Sequence, residues 1–211
     1  MQRNVKKYLL LSLLLNIILA CSLAWSLSSL ANHYDLAKSS MCYILDDDVR
    51  LHAAQSFRRM ALDIRNYLYY SNLSYDDLIR RYNFYWGIVY SSLTHVSSML
   101  PYARSMKILD ISSQTIEDLS SSLIMLIWCF SDLREALNPT LLHNATKVND
   151  LLKWMDELHD VLCLLGYRFQ YEVQGEKVVE LYNISTLLPS YEDLASKIED
   201  LALQGYQILK G

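Results

Sequence analysis

Glycine and proline are scarce in this sequence, with 5 glycines and 3 prolines among 211 residues. These residues interrupt helices and build the turns of sandwiches and barrels, so their scarcity argues against loop-rich all-β folds. Hydrophobic residues make up 52% of the chain, which is enough for one domain to bury a core of its own. Together these features predict a mainly α protein.

An excess of positive charge is also missing, because 23 acidic residues face 19 basic ones and the net charge is -4. Phosphate backbones require a basic surface, so we expect no nucleic-acid partner. The sequence contains no Ser/His/Asp arrangement, glycine-rich phosphate loop, H-E-x-x-H motif or C-x-x-C spacing. We therefore expect a non-catalytic protein that uses no metal or other cofactor.

Charge is absent from Tyr8 to Ala31, directly after the basic residues Arg3, Lys6 and Lys7. This apolar run of about 24 residues exceeds the roughly 20 that span a bilayer. Flanking positive charge keeps an N-terminus in the cytoplasm and sends the following chain across the membrane. Residues 1–31 are thus predicted to be a transmembrane anchor or signal segment, with the bulk of the chain outside the cytoplasm.

Two other interpretations of this segment remain open. Ile18-Leu19-Ala20-Cys21 resembles a lipoprotein cleavage site, in which Cys21 would carry the lipid, and Ser29-Leu30-Ala31 resembles a signal peptidase site. A retained helix is favoured, since the next helical pattern begins almost directly after Ala31 without a flexible tether.

Apolar residues recur at helical spacing over most of the remaining chain. This periodicity predicts helices over about 32–70, 75–99, 115–137 and 140–165, with Pro101 and Gly166 as stops. Four helices joined by short turns form an antiparallel four-helix bundle by default, here assigned to residues 32–165.

The pattern changes after Gly166. Tyr167, Phe169, Tyr171 and Val173 alternate with polar residues before Gln174-Gly175, which predicts a β-hairpin. A last helix follows from Ser190 to about residue 209. Residues 166–211 are therefore predicted to form a hairpin and a final helix that pack on the bundle.

The basic start, the single span and the stretch "YDDLIRRYNFYWGIVYSSL" resemble the extracytoplasmic helical sensor region of bacterial membrane signalling proteins, such as sensor histidine kinases and diguanylate cyclases. The resemblance covers roughly residues 8–137. It rests on six matching residues: Asp77, Leu78, Arg81, Tyr82, Phe84 and Trp86. No second apolar stretch is long enough to span, so we expect a single pass. The resemblance implies that this span lies in the bacterial inner membrane, with the bulk of the chain in the periplasm or outside the cell. The second span and the cytoplasmic output domain of such receptors are missing, so no enzymatic output is implied.

The cysteines allow one disulfide in the predicted bundle. Cys42 would begin the first bundle helix and Cys163 would end the fourth, at the same end, in an oxidising compartment. The alternative is that Cys42, Cys129 and Cys163 are all buried free thiols.

Arginines and aromatic residues gather where the first two bundle helices meet. The predicted ligand-binding residues are Arg65, Tyr69, Tyr70, Arg80, Arg81 and Tyr85. Guanidinium groups between aromatic walls could hold a small anion or a carboxylate, or the cluster could bind a protein. Alternatively, the arginines pair with nearby aspartates such as Asp63 and Asp77, while the aromatics fill the bundle.

These observations predict a membrane-anchored, non-catalytic module that senses or binds, with a protein partner or a second copy of itself. The alternatives are a structural or assembly component of a bacterial envelope complex and a lipoprotein tethered through Cys21.

Overall fold

The computed structural model describes residues 2–70, 73–181 and 188–210, with side chains from residue 15 onward. The chain divides into two compact units, Met1–Ser40 and Met41–Gly211.

Helix α1 spans Gln2–Asp46. Its residues up to Ser40 belong to the first unit, and its last six residues belong to the second. One helix near the N-terminus is long and apolar enough to cross a membrane. The large apolar side chains from Leu15 to Leu36 are exposed, and Trp25 is 79% exposed. Two hydroxyl groups are bonded within the helix: Ser22 donates to the carbonyl of Ile18 at 2.6 Å, and Ser26 donates to that of Ser22 at 2.9 Å. Such pairing lowers the cost of placing a hydroxyl group in hydrocarbon.

The described part of the second unit consists of helices joined by turns and short loops. A π-helical segment (Asp47–Ala54) joins α1 to α2 (Gln55–Arg65), and a second π-helical segment (Asn66–Tyr70) follows. The remaining helices are α3 (Tyr75–Ser105), α4 (Ser113–Ala136), α5 (Pro139–Leu142), α6 (Ala145–Gln174), α7 (Lys177–Leu181) and α8 (Tyr191–Lys210).

The first π-helical segment follows from the spacing of the apolar residues. Leu45, Val49, Ala53 and Phe57 are each four residues apart, and all four are completely buried. In an α-helix with 3.6 residues per turn, each such step drifts by about 40°, so the set would rotate away from the core. The π-helical segment turns by less per residue than the α-helix on either side, which offsets this drift and keeps these side chains on one buried face.

The long helices of the second unit form a ring around one core. α2 packs on α3 and α6, α4 packs on α3 and α8, and α8 closes the ring against α6. Four large side chains meet at the centre: the Phe57 ring lies 4.7 Å from that of Phe130 and 6.2 Å from that of Trp154, and Tyr82 lies 5.4 Å from Phe130. The centre of the core is therefore built from side chains of α2, α3, α4 and α6.

Side-chain caps define the starts of four helices. The starts of α3 and α5 agree with the predicted ones, whereas α4 begins two residues before the predicted start and the predicted helix over 140–165 is divided into α5 and α6. Ser74, Ser112, Asn138 and Asn144 each accept a hydrogen bond from a backbone N–H three residues later. These caps satisfy donors that the first helical turn leaves unpaired.

The predicted β-hairpin is wrong, since the described part of the second unit contains no strand. Tyr167–Gln174 is the last part of α6, and α7 follows after Gly175. The buried residues here are Leu162, Leu165, Phe169 and Gln170, which follow helical spacing. The alternation of aromatic residues was misleading because Tyr167, Tyr171 and Val173 lie half-buried at the edge of that helical face.

Two predicted helix stops are also wrong. Pro101 lies inside α3, which continues to Ser105, and Gly166 lies inside α6. The helix ends instead at Gly175, whose φ of 58° lies in the left-handed region that favours glycine.

The predicted four-helix bundle becomes a five-membered ring because α8 packs lengthwise between α4 and α6. Its start lies beside the start of α4, where the Thr115 hydroxyl donates to the Glu192 carboxylate at 2.7 Å. α8 therefore runs parallel to α4.

Candidate functional site

The predicted arginine and tyrosine cluster is organised by aspartates of the same unit. Asp63, which is 4% exposed, accepts hydrogen bonds from the Arg81 guanidinium at 2.8 Å and from the Tyr85 hydroxyl at 3.1 Å. Burial and the neighbouring Asp63 charge raise the pKa of Tyr85. This arrangement compensates the buried carboxylate, because a buried charge is costly unless it is paired and hydrogen-bonded.

The other two predicted arginines have different partners. Arg65 bonds Asp156 of α6 at 2.6 Å, and Arg80 lies 3.3 Å from Asp77, one turn earlier in its own helix. The structure therefore brings Arg81 and Tyr85 together on Asp63, but it does not gather all the predicted arginines and tyrosines into one site.

The remaining predicted residues are at the surface. Tyr69 and Tyr70 are 63% and 65% exposed at the end of the second π-helical segment. Phe84, also 63% exposed, contacts Tyr85, whose hydroxyl bonds α2, while the side chain of Arg80 is 79% exposed. We call Tyr69, Tyr70, Arg80 and Phe84 the tip patch.

A second polar cluster lies at the opposite end of the unit. The Asp46 carboxylate is completely buried and accepts two hydrogen bonds from the Arg50 guanidinium, both at 2.7 Å. The side-chain amide of Gln170 donates to the same carboxylate from α6. Arg50 also stacks over the Tyr167 ring at 5.3 Å. The end of α1 and the end of α6 are therefore tied by a charged, hydrogen-bonded cluster.

Gly166 makes room for this cluster. A Cβ atom at this position would lie 2.5 Å from Asp46 Oδ1 and 2.8 Å from Arg50 Cβ. The glycine that resembles a helix stop in the sequence is thus a close-approach residue inside a helix.

Sequence reasoning missed this cluster. The available signal was the spacing of Asp46 and Arg50, which are four residues apart and so share one helix face. Asp46 also lies among the buried residues Cys42, Leu45 and Val49.

Asp48 connects two imidazoles on the first π-helical segment and α3. Its carboxylate lies 2.6 Å from His95 Nδ1 and 3.3 Å from His52 Nδ1. Among the residues described, no group of three or more His, Cys, Asp or Glu side chains has the arrangement of a metal site.

The predicted Cys42–Cys163 disulfide is not formed, because all four cysteines are free in this structure. Cys129 is buried, and burial raises its pKa to about 12, while burial raises the pKa of Cys163 to about 11. These groups are therefore neutral thiols at physiological pH.

No family model, curated protein or solved structure matches the chain significantly. Its fold defines a helical protein with one N-terminal helix that is long and apolar enough to cross a membrane.

Proposed function

We propose that the chain is a membrane-anchored helical bundle that binds a protein partner outside the cytoplasm through its tip patch, without catalysing a reaction. The observation that carries this proposal is the exposure of three large aromatic side chains: Tyr69 and Tyr70 at the end of the second π-helical segment, and Phe84 one turn after the exposed Arg80 in α3. Exposed clusters of tyrosine, phenylalanine and arginine are typical of protein-binding surfaces, where these side chains supply most of the affinity.

A protein partner suits the tip patch better than a small anion does. Arg81 and Arg65 are engaged by Asp63 and Asp156, so an anion would have to compete with carboxylates of the chain itself. A protein surface can use Tyr69, Tyr70 and Phe84 without breaking those ion pairs.

Site-specific photo-crosslinking in native membranes tests this binding role. A benzophenone side chain at Tyr70 in the full chain should give a discrete adduct, and the Arg80→Ala/Phe84→Ala variant should lose most of it. Tyr102 is the matched control, because it is also an exposed tyrosine, at 63% against 65% for Tyr70. Equal adducts at both positions, or none at Tyr70, would contradict the proposal.

The anchor is tested by the intact mass of the membrane-extracted protein. A full-length mass is expected, because the apolar helix remains attached when it spans the bilayer. Loss of the N-terminal residues would contradict anchoring by this helix, and a diacylated Cys21 would replace it with a lipid anchor.

A further inference from the structure

Two exposed helix faces of the second unit carry complementary chemistry. The basic face consists of Leu51, Arg58, Arg59 and Leu62, with the two leucines 47% and 48% exposed. The acidic face lies on α4 and consists of Ile124, Trp128, Asp132 and Glu135, with the two apolar residues 38% and 60% exposed. The named residues of each face thus combine large apolar side chains with charges of one sign. The exposed Arg134 lies between Asp132 and Glu135 in the sequence of α4, about 100° around the helix from Glu135.

The charged residues of both faces have no ion-pair partner among the described residues. Two neighbouring arginines are paired within the chain: Arg65 of α2 bonds Asp156, and Arg81 of α3 bonds Asp63. Arg58 and Arg59 are therefore available to an external carboxylate, and Asp132 and Glu135 to an external cation.

The two faces match in the spacing of one apolar and one charged residue. On the acidic face both apolar residues precede the carboxylates along the chain, whereas on the basic face Leu51 precedes the arginines and Leu62 follows them. Leu51 precedes Arg58 by seven residues and Trp128 precedes Glu135 by seven, which corresponds to about 10 Å along a helix.

The helices that carry the faces run in the same direction at a similar height. Both lie antiparallel to α3. On one side, Asp48 bonds His95 and Asp63 bonds Arg81; on the other, Tyr82 bonds the Phe130 carbonyl, and Arg104 near the end of α3 bonds the Ile111 carbonyl just before α4. The rings of Phe57 and Phe130, which belong to the segments carrying the two faces, contact each other at 4.7 Å. A second copy placed beside the first, with its axis parallel, would thus bring Leu51 of one copy toward Trp128 of the other. The arginines of the first copy would then lie near the carboxylates of the second.

We infer that the chain associates with further copies of itself, with the basic face of one copy docked on the acidic face of the next. This contact is heterologous, because it joins two different surfaces, and so it builds a ring or an open chain of copies. The inference goes beyond the proposed function, since the tip patch belongs to neither face.

Energy transfer between donor- and acceptor-labelled full-length chains in phosphatidylcholine vesicles measures this association. Two variants each reverse one face: Arg58→Glu/Arg59→Glu makes both faces acidic, and Asp132→Lys/Glu135→Lys makes both basic. We expect each variant alone to need at least about a tenfold higher protein-to-lipid ratio for half-maximal transfer, since like charges then meet.

A mixture of the two variants is the decisive sample. Mixed copies restore opposite charges at every contact between unlike variants, so a 1:1 mixture should regain wild-type transfer. The control variant Lys177→Glu/Lys197→Glu makes the same change in net charge as the first variant at exposed positions of α7 and α8. It should associate like wild type.

Several outcomes would overturn the inference: no transfer by wild type, unchanged transfer by either face variant, loss of transfer by the control, or failure of the mixture to recover. Melting temperatures and helical circular dichroism of each variant identify any loss due to misfolding, and the recovery of the mixture requires that both variants are folded. The outcome for the tip patch is separate, because crosslinking at Tyr70 does not require contact between copies.

Discussion

Gly205→Ala should destabilise the second unit, although alanine is the better helix former. A Cβ at this position of α8 would lie 2.5 Å from Cys129 Sγ and 2.5 Å from the Trp154 ring. The ring cannot move aside freely, because its indole N–H donates to the Leu201 carbonyl at 2.6 Å in the buried core. Overpacking of this kind costs about 1–3 kcal/mol and can cost more where a rigid group must shift.

The magnitude follows from two opposing terms. Replacing a helical glycine by alanine contributes about 1 kcal/mol of stability through backbone entropy. Because the Trp154 ring is held by its hydrogen bond, we place the clash at the upper end of the overpacking range, about 2–3 kcal/mol, and expect a net loss of about 1–2 kcal/mol. For a domain of this size, that corresponds to a fall in the melting temperature of roughly 2–8 °C.

Gly87→Ala is the matched control. Gly87 lies in the exposed middle of α3, and a Cβ there would meet nothing within 4 Å. The propensity gain then stands alone, and the melting temperature should rise by about 2–4 °C. Thermal unfolding of the full chain in detergent, followed by intrinsic fluorescence, measures both variants. A rise for Gly205→Ala equal to that for Gly87→Ala would refute the close packing of α8 against Trp154.

Three further outcomes are expected. Asp46→Ala should cost at least about 3 kcal/mol in chemical denaturation, because it leaves the Arg50 guanidinium without its buried carboxylate; a loss below about 1 kcal/mol would contradict that pairing. Hydrogen bonding by Thr115 lowers the pKa of Glu192 in the folded state. The ionised carboxylate therefore stabilises the folded state at pH values above its unfolded pKa, and this stabilisation is lost as pH falls through its folded pKa. Thr115→Val should therefore flatten the decrease in melting temperature below pH 4.5, and an unchanged pH profile would argue against the bond. Burial raises the pKa of Cys129 to about 12, so iodoacetamide at pH 8 should modify it only after unfolding, as measured by mass spectrometry; rapid labelling of the folded chain would contradict its burial.

Local signals predicted the helices well where burial and capping agree. Ser74 precedes two acidic residues and an apolar stripe, and it caps α3 as expected. The predictions were wrong where tertiary packing outweighed the local tendency of a residue to end a helix. Glycine often ends helices, but at Gly166 the absence of a side chain lets Asp46 and Arg50 lie close to α6. Local sequence cannot distinguish these two uses of glycine, because the difference lies in a helix that is distant along the chain.

The candidate site also has one part that local sequence predicted and another that depends on tertiary packing. The sequence predicted that the arginines and tyrosines of 65–85 lie at one end of two helices, because only a few residues separate the two helical patterns. It could not assign each arginine to its aspartate, since Asp156 reaches Arg65 from α6 and depends on how the ring closes. The buried Asp46–Gln170 contact depends on the same closure.

The sequence by itself determined the helical class, most helix starts and the apolar N-terminal helix, because periodicity, caps and hydropathy act over a few turns of chain. Only the tertiary structure decided that α8 completes a ring and that α6 continues through Gly166. It also decided which arginines are paired within the chain and which are left at the surface. These features depend on contacts between residues far apart in sequence, where shape and buried charge outweigh local preference.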